Sequence, residues 1–594
     1  MKSIFRLVAA ALAGMLLFQG AAFAQGSQVR GKVTDADGKP LAGVTVLVQG
    51  TGNGTMTAAD GSYSLRVNQG DVLEFSCLGL ATEQRSYRGQ QTLNVTLVED
   101  ALYLEDVVVV GYGTAKKETL TAAVSAIKGD ELLKAPSTNV SQVLAGKLSG
   151  ISSVQESGEP GLDQASIRIR GSVYGVAYVV DGFPVDNIND IDPADIESIS
   201  VLKDGASAAV YGLKAAGGVI IITTKKGDKG DTRITYNGSV GASMNANFPK
   251  FMNGPQFAYY YNVAQMMDQL SNGEIASSAD YVPYFTQKNI AAMREGTDGW
   301  ANVDYVNKVF GTGINQKHNV TVQGGSDKAR FFVSAGILDQ KGNIDRFNYT
   351  RYNVRSNIEG DLSKYLSYKV GLSGVMGNRS TPAFLSGGSD SGYTEVGWFS
   401  IARQVVQMHP YLPEMYDGYY TGAVQDNQSF LVSPLAAIYA SGYKKTKSVS
   451  AAVNAALTWN VPFVPGLSLK ASGSYDFGMS YNKNLSTPYT MMQRVRTDDG
   501  WTWQLRKDNP HIGTDLNPAP APEDTNNLGE GAVFSYQLIG QVSANYVNTF
   551  GKNHVDLMAL AEYRDYTGNG LSAYVEALPF TSLPELSNGI VRTA

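Results

Sequence analysis

The sequence predicts a mainly β protein in three successive parts: a small β-sandwich, a mixed α/β domain and a transmembrane antiparallel β-barrel. Three observations carry that reading. Short alternating strands separated by tight turns fill residues 28–98, long two-sided strands recur from residue 231 onward, and a secretion signal is followed by no apolar helix. Composition agrees: of 594 residues only 17% are charged, while Gly (64) and Tyr (33) are abundant. That balance suits strands and long loops better than a helical enzyme. The net charge of −6 is mild and gives no reason to expect nucleic acid as a partner.

The N-terminus sets the compartment. Lys2 and Arg6 precede an apolar run from Leu7 to Phe18, and Ala22-Phe23-Ala24 supplies a small-residue cleavage site. Residues 1–24 therefore read as a signal peptide, with a mature start near Gln25. No cysteine follows the cut, so this is not a lipoprotein signal. No later stretch approaches the roughly 20 apolar residues of a spanning helix, and an exported chain without one can still be integral as a β-barrel.

Residues 28–98 predict about seven short strands. Asp37-Gly38, Gly52-Asn53-Gly54 and Asp60-Gly61 supply the positive-φ residues that hairpins need. Val44, Val46 and Val48 alternate with Thr45, Leu47 and Gln49, and Tyr63, Leu65 and Val67 with Ser62, Ser64 and Arg66, as in a sandwich with one buried face per sheet. The lone cysteine, Cys77, lies in the apolar run "VLEFSCLGL" and is expected as a buried small hydrophobe. One cysteine excludes an internal disulfide and a cysteine-rich zinc site. The pattern V-x-G-x-V-x-D-x-x-G-x-P-L-x-G-V, with G-T and D-G-x-Y after it, resembles the carboxypeptidase-regulatory-like domain.

Residues 99–118 follow as a linker around Val107 to Val110. A β-branched run forms a strand readily. Its acidic neighbours, Glu99, Asp100, Glu105 and Asp106, fit a solvated segment rather than another core strand. Two readings stand: a buried edge strand of the sandwich, or a strand that pairs with the exposed sheet edge of another protein.

Residues 119–227 change texture to mixed α/β. "STNVSQVLAGKLSG" predicts a helix with Ser137 or Thr138 as N-cap, Val140, Val143, Leu144 and Leu148 on one face, and Gly150 as stop. "SIRIRG", "AYVVDGFPV" and "GGVIIITTKKG" predict strands, and "DIESISVLKDGASAAVYG" a strand leading into a short helix. Asp181-Gly182 before Phe183-Pro184 reads as a tight turn.

From 231 the strands are two-sided. In "RYNVRSNIEGDL", Tyr352, Val354, Ser356, Ile358, Gly360 and Leu362 share one face, opposite Arg351, Asn353, Arg355, Asn357, Glu359 and Asp361. "SVSAAVNAALTWN" and "SYQLIGQVSANYV" repeat the pattern. Such segments match the 9–11 residues with which a tilted strand crosses a bilayer. About ten of them occur between 231 and 594. Strand-poor insertions at 250–315, 379–445 and 482–532 carry Trp300, Trp398, Trp501 and Trp503, suited either to stacking on sugar rings or to aromatic girdles and loop cores.

No catalytic constellation is present. His318, His409, His511 and His554 are scattered, and H-E-x-x-H, G-x-S-x-G and P-loop motifs are absent. Asp35-Ala36-Asp37-Gly38 resembles the start of a calcium loop but lacks the later glutamate. No metal or cofactor is expected.

The order of parts, with "LEDVVVVGYGTAKK", "SIRIRG", "AYVVDGFPV", "DIESISVLKDGASAAVYGLKAAGGVIIITTKKG" and "VTVQGGSDKARFFVSAGILDQKGNI", resembles the SusC/RagA-type TonB-dependent outer-membrane transporters of Bacteroidetes. The resemblance implies a TonB box at Glu105, Asp106, Val107, Val108, Val109, Val110, Gly111 and Tyr112, then a plug over 119–227 and barrel strands over 231–594. It implies structural plug positions at Arg168, Arg170, Gly171, Asp181, Gly182, Pro184, Lys203, Asp204, Tyr211 and Gly212. It also implies an outer-membrane location with sandwich and TonB box in the periplasm, and coupling to TonB and its inner-membrane motor. A SusD-like surface lipoprotein and a glycan or peptide substrate complete the implied system. The alternative is a surface receptor or adhesin that binds without transport. The family's G-S-R-x-A turn is replaced by Gly212-Leu213-Lys214-Ala215-Ala216, which puts a plug–barrel ion pair there in question. The family's barrel has 22 strands, so about ten lead us to expect an incomplete barrel and a longer protein. With only Gln25 to Gln28 between cleavage site and sandwich, uptake without a signalling domain is expected.

Overall fold

The computed structural model describes residues 27–591 apart from 36–37, 50, 52, 78–79, 98–106, 111–112, 117–122, 135–136, 327, 384–396, 425–430, 509–525 and 552. Residues 1–24, expected to be a signal peptide, and Glu105, Asp106, Gly111 and Tyr112 lie outside the described residues. The chain divides into two compact units, Met1–Thr121 and Ala122–Ala594.

In the first unit, seven strands form two sheets. Gly54–Met56, Thr45–Val48, Val72–Cys77 and Leu80–Ser86 stand in that order in one; Ser62–Val67, Ser27–Thr34 and Val95–Thr96 form the other. The predicted alternation is realised: Val44, Val46, Val48, Tyr63, Leu65 and Val67 are all buried, with Val29, Val33, Leu73 and Phe75, in one core. Cys77 is only half-buried against it. Its strand shifts register between Phe75 and Cys77, which turns the thiol to the margin of the core. The valine segment joins neither sheet. Val107–Val110 pairs antiparallel with Gly113–Lys116, Val107 opposite Lys116 and Val110 opposite Gly113, as a separate two-stranded ribbon.

The second unit begins with a five-stranded sheet in the order Val124–Lys128, Ile196–Leu202, Val219–Thr224, Ala177–Val180, Phe183–Val185. The run "VIIITT" is a central strand, antiparallel to Ile196–Leu202 and parallel to Ala177–Val180. A strand covered on both faces reads as a continuous apolar run, as this one does. Ile196, Ile199, Val201, Leu202, Ile220 and Ile222 have no exposed surface. The helix expected from Ser137 is shorter than the pattern implied: Val140–Val143 is one helical turn, its N-cap is Asn139, and no side chain caps it. Ser137 instead donates to the Gln142 side chain, at Oε1, at 2.7 Å, and Thr138 to Asp163 Oδ2 at 2.7 Å, so neither hydroxyl caps a backbone N–H of the helix. Its four apolar residues are nonetheless buried.

Around this domain runs a ten-stranded antiparallel sheet in chain order. The strands are Gly230–Ser243, Gly313–Gly325, Ala329–Lys341, Asn348–Ser363, Leu366–Thr381, Gly442–Asn460, Leu467–Ser486, Asn526–Phe550, Asn553–Leu578 and the short Ile590–Val591. Among the described residues the first and last strands do not pair with each other, so the sheet is open. Its faces are inverted relative to a soluble sheet. Tyr352, Val354, Ile358 and Leu362 are 43%, 58%, 38% and 64% exposed, while Arg351 and Asn353 on the opposite face are 2% and 5% exposed. An apolar outer face against lipid and a polar inner face is the arrangement of an outer-membrane barrel wall. No described helix is long and apolar enough to cross a membrane.

The long insertions emerge at one end of the sheet and pack together. Helices Gly254–Ser271, Gln287–Glu295 and Gly397–Gln407 and the hairpin Tyr489–Thr497/Gly500–Asp508 enclose an aromatic core. Phe285 stacks on Trp501 at 5.3 Å, Trp503 on Tyr416 at 4.3 Å, and Trp300 is buried. Arg494 lies over Trp300 at 3.7 Å and near Trp503 at 5.2 Å. Of the two readings for these tryptophans, the loop core is the one observed.

Candidate functional site

The polar inner face of the sheet gains its meaning from the α/β domain it surrounds. Lys317 Nζ approaches Asp192 Oδ1 at 2.7 Å. Arg355 stands 3.9 Å from both Asp181 and Asp195, and Arg351 donates to the Asn189 carbonyl. Asn357 Nδ2 donates to Thr224 Oγ1 at 2.8 Å and to the Lys225 carbonyl at 2.7 Å. At the other end of the domain, Arg379 pairs with the fully buried Glu159, whose second oxygen accepts from Trp398 N at 3.3 Å. Trp398 lies in the first turn of its helix, where exposed N–H groups favour a carboxylate. Every one of these cations comes from the barrel wall and every carboxylate from the enclosed domain, so the domain is seated by charge as well as by shape.

The chemistry of that seat is uneven. Burial pushes Asp195 up from 3.8 to about 6; Asp192 beside it adds to the rise, and Arg355 offsets part of it. A carboxyl held in this way strains against ionisation at neutral pH.

Where the long insertions leave the sheet, domain and wall part to leave a cavity of about 370 Å³. The domain contributes Thr138, Gln142, Gln155 and Asp163; the wall contributes Asn315, Gln340 and Lys341; Trp398 and Asn343 close one side. Asp163 is its organising group. It accepts from Thr138 Oγ1 and Asn139 Nδ2 at 2.7 Å each and from Gln340 Nε2, on the wall, at 2.9 Å. Amides and hydroxyls dominate the lining, which can exchange hydrogen bonds with a neutral polar ligand. No His/Cys/Asp/Glu group able to hold a metal occurs among the described residues.

The residues singled out in the sequence fall into distinct settings. Asp181 and Gly182 form a two-residue hairpin turn with φ of 51° and 93° between Ala177–Val180 and Phe183–Val185. The Asp181 carboxylate also accepts from Thr224 N and Oγ1 at 2.9 and 2.7 Å, a role the turn reading did not contain. Pro184 pairs with Val179 in that hairpin. Arg168 and Arg170 flank the end of Ala165–Ile169, and Arg170 N donates to the Gly150 carbonyl at 2.8 Å. Gly171 and Gly212 both adopt φ of 71°, and Tyr211 ends a 3-10 turn. Lys203 and Asp204 touch the first strand of the domain. Lys214, at the departure from the G-S-R-x-A turn, is exposed. Sequence reasoning missed Asp192, Asp195, Lys317, Arg379, Glu159 and Asp163. The two-sided strand pattern put Arg351 and Arg355 on one face of their strand, but nothing in it said which face was buried or named their partners.

The TonB-dependent Receptor Plug Domain family matches residues 116–219, and the CarboxypepD_reg-like domain family matches residues 29–109. The TonB-dependent receptor SusC of Bacteroides thetaiotaomicron is 28% identical over 96% of this chain and 53% of its own length. The TonB-dependent receptor P3 of Formosa agariphila is 33% identical over 64% of this chain and 36% of its own. Among solved structures, the RagAB peptide importer in its open-open state aligns with a TM-score of 0.61 at 24% identity, covering 82% of this chain and 52% of that one, a likeness of fold. With a TonB-dependent receptor plug domain seated in an outward-apolar sheet, the chain is similar to the SusC/RagA type of TonB-dependent receptors. The chain spans between about a third and a half of the length of the curated relatives it matches.

Proposed function

We propose that this chain forms part of a protein that imports a polar nutrient across the outer membrane at the expense of energy delivered through TonB. One observation supports this reading above all: a folded plug is held inside an apolar-outward wall by charge pairs, so the path through the wall is blocked until the plug is moved. A receptor or adhesin has no need of a displaceable domain in that position. Val107–Val110 is the segment on which TonB acts, through pairing of an extended backbone with a partner sheet. Residues 1–24 direct export, 28–98 and the valine ribbon face the periplasm, 119–227 is the plug, 231–594 is barrel wall, and the aromatic cap faces outward. The substrate is a glycan or oligosaccharide, with a peptide second. The amide- and hydroxyl-rich cavity beside Asp163 suits either, and its single aromatic, Trp398, is engaged with Asn343 Oδ1 at 2.8 Å. A SusD-like lipoprotein is the expected partner at the outer face.

The test is accumulation of labelled oligosaccharides and peptides by cells carrying the complete gene, with and without TonB. Uptake that needs TonB supports import. Surface binding of the same ligands with no TonB-dependent accumulation supports the receptor alternative and refutes import.

A further inference from the structure

Opposite charges meet at the plug contacts described above; at one further contact like charges meet. It lies at the end of the wall where Asn348–Ser363 turns into Leu366–Thr381 and Gly442–Asn460 into Leu467–Ser486. Lys226 follows the central plug strand Val219–Thr224, and its two neighbours are fixed against the wall. Asn357 Nδ2 donates to the Lys225 carbonyl at 2.7 Å. Gly227 runs so close to the strand Ala329–Lys341 that a Cβ there would lie 2.2 Å from Phe331 N. Lys226 is thereby held beside the inward-facing row Arg330, Glu359 and Lys369, which stand opposite one another in register.

Lys470 joins them from two strands further round. Lys369 pairs with Ala456 and Lys470 with Thr458, so only two short side chains stand between the lysines on that face. Adjacent strands lie about 4.8 Å apart, a gap that two lysine side chains close. Lys369 has both Lys226 and Glu359 as electrostatic neighbours, and Lys470 has Lys369 and Lys226. Glu359 is 3.1 Å from Arg330 and 3.6 Å from Lys369. Glu197 of the plug faces Lys226, but among the described residues neither Lys226 nor Lys470 forms an ion pair. Asp228 is matched by Arg233 at 3.4 Å, and Asp361, one row nearer the turn, is exposed. Arg330, Lys226, Lys369 and Lys470 therefore face Glu359 and Glu197, leaving a surplus of two positive charges.

We propose that Lys226, Lys369 and Lys470 form a binding site for a doubly charged oxyanion, a sulfate or phosphate group, which bridges the plug to the wall. Ammonium groups brought together beside a protein surface repel one another. An oxyanion relieves that repulsion, because each of its oxygens accepts a charge-assisted hydrogen bond from one of the ammoniums. The Lys369 side chain is 59% exposed, so the site is open to solutes. The oxyanion is either a free ion or an acidic group on a transported molecule, and only the second source rests on the import reading.

The test is hydrogen exchange of Val219–Thr224 in the complete protein in lipid nanodiscs, titrated with sodium sulfate or sodium phosphate against sodium chloride of equal ionic strength. Sulfate at about ten times its dissociation constant should make opening of that strand about tenfold rarer, with no such effect of chloride. Lys470→Met should remove the response and raise protection in chloride by relieving repulsion, whereas loss of a lysine that merely packs would lower it. Lys470→Arg keeps the charge and should keep the response. Protection indifferent to both oxyanions, or a response equal in wild type and Lys470→Met, overturns the proposal. A sulfated disaccharide that displaces sulfate, when its unsulfated counterpart does not, assigns the site to acidic groups of a transported molecule; binding of the inorganic ions alone supports the free ion as the bridge. Displacement by the sulfated disaccharide without its TonB-dependent accumulation leaves the oxyanion site standing and removes the import reading instead.

Discussion

Asp195→Asn should stabilise the plug at neutral pH, because the wild-type carboxyl is ionised there at a cost. In the folded protein it titrates near 6, against an ordinary value of 3.8. The proton is therefore bound more tightly in the folded state than in the unfolded one. The contribution of this group to stability is fully present below pH 3.8, declines between 3.8 and about 6, and is absent above. The rise from 3.8 to about 6 corresponds to roughly 3 kcal/mol at 1.36 kcal/mol per pKa unit. That figure is already net of the attraction to Arg355, which is included among the causes of the shift. Asparagine matches the shape of the neutral acid and never ionises, so the variant gains up to about 3 kcal/mol above pH 7 and nothing below pH 3.8. The assay is hydrogen exchange of the amides of Ile196–Leu202, the strand that begins beside Asp195. Opening of the plug should be about a hundredfold rarer in the variant at pH 8, with the two proteins converging as pH falls. Equal protection at pH 8, or a difference independent of pH, would refute the argument and assign the seat of Asp195 to its ion pair with Arg355 rather than to the cost of burial.

Three further outcomes are expected. Val108→Pro removes a backbone donor from the valine ribbon and should abolish TonB-dependent uptake while ligand binding and membrane insertion persist; normal uptake would show that the ribbon is not the coupling segment. Gly182→Val forces a β-branched residue to φ of 93° with no steric obstacle nearby, so limited proteolysis should find a plug destabilised by about 1–2 kcal/mol or more from backbone strain alone. Arg494→Ala withdraws the cation lying over Trp300; burial lowers this guanidinium to about 10, still charged at neutral pH. Its loss should raise protease sensitivity in 482–532 and leave the barrel strands as protected as before.

The distinction between what the sequence disclosed and what it did not follows from the range of the forces involved. Period-two alternation is local, so Tyr352, Val354, Ile358 and Leu362 could be assigned a common face from the sequence alone. Only the structure shows that this face is the exposed one and that Arg351 and Asn353 are buried, because burial depends on what the sheet encloses. Asp181-Gly182 was legible as a turn for the same local reason. Its second role, accepting from Thr224 across 43 residues, was not. The expected helix cap failed where a distant partner won: Thr138 reaches Asp163, 25 residues away, in place of the nearby helix end. The cavity is the extreme case. Gln142 and Asp163 on the plug meet Gln340 on the wall, 177 residues beyond Asp163, and each is an unremarkable polar residue where it stands in the chain. Local propensity cannot rank such residues, since the free energy that selects them is that of satisfying buried polar groups once the plug is inside the wall. A site built this way is read from the interface between two domains, and the strand pattern contributes only the statement that the wall has one polar face to offer.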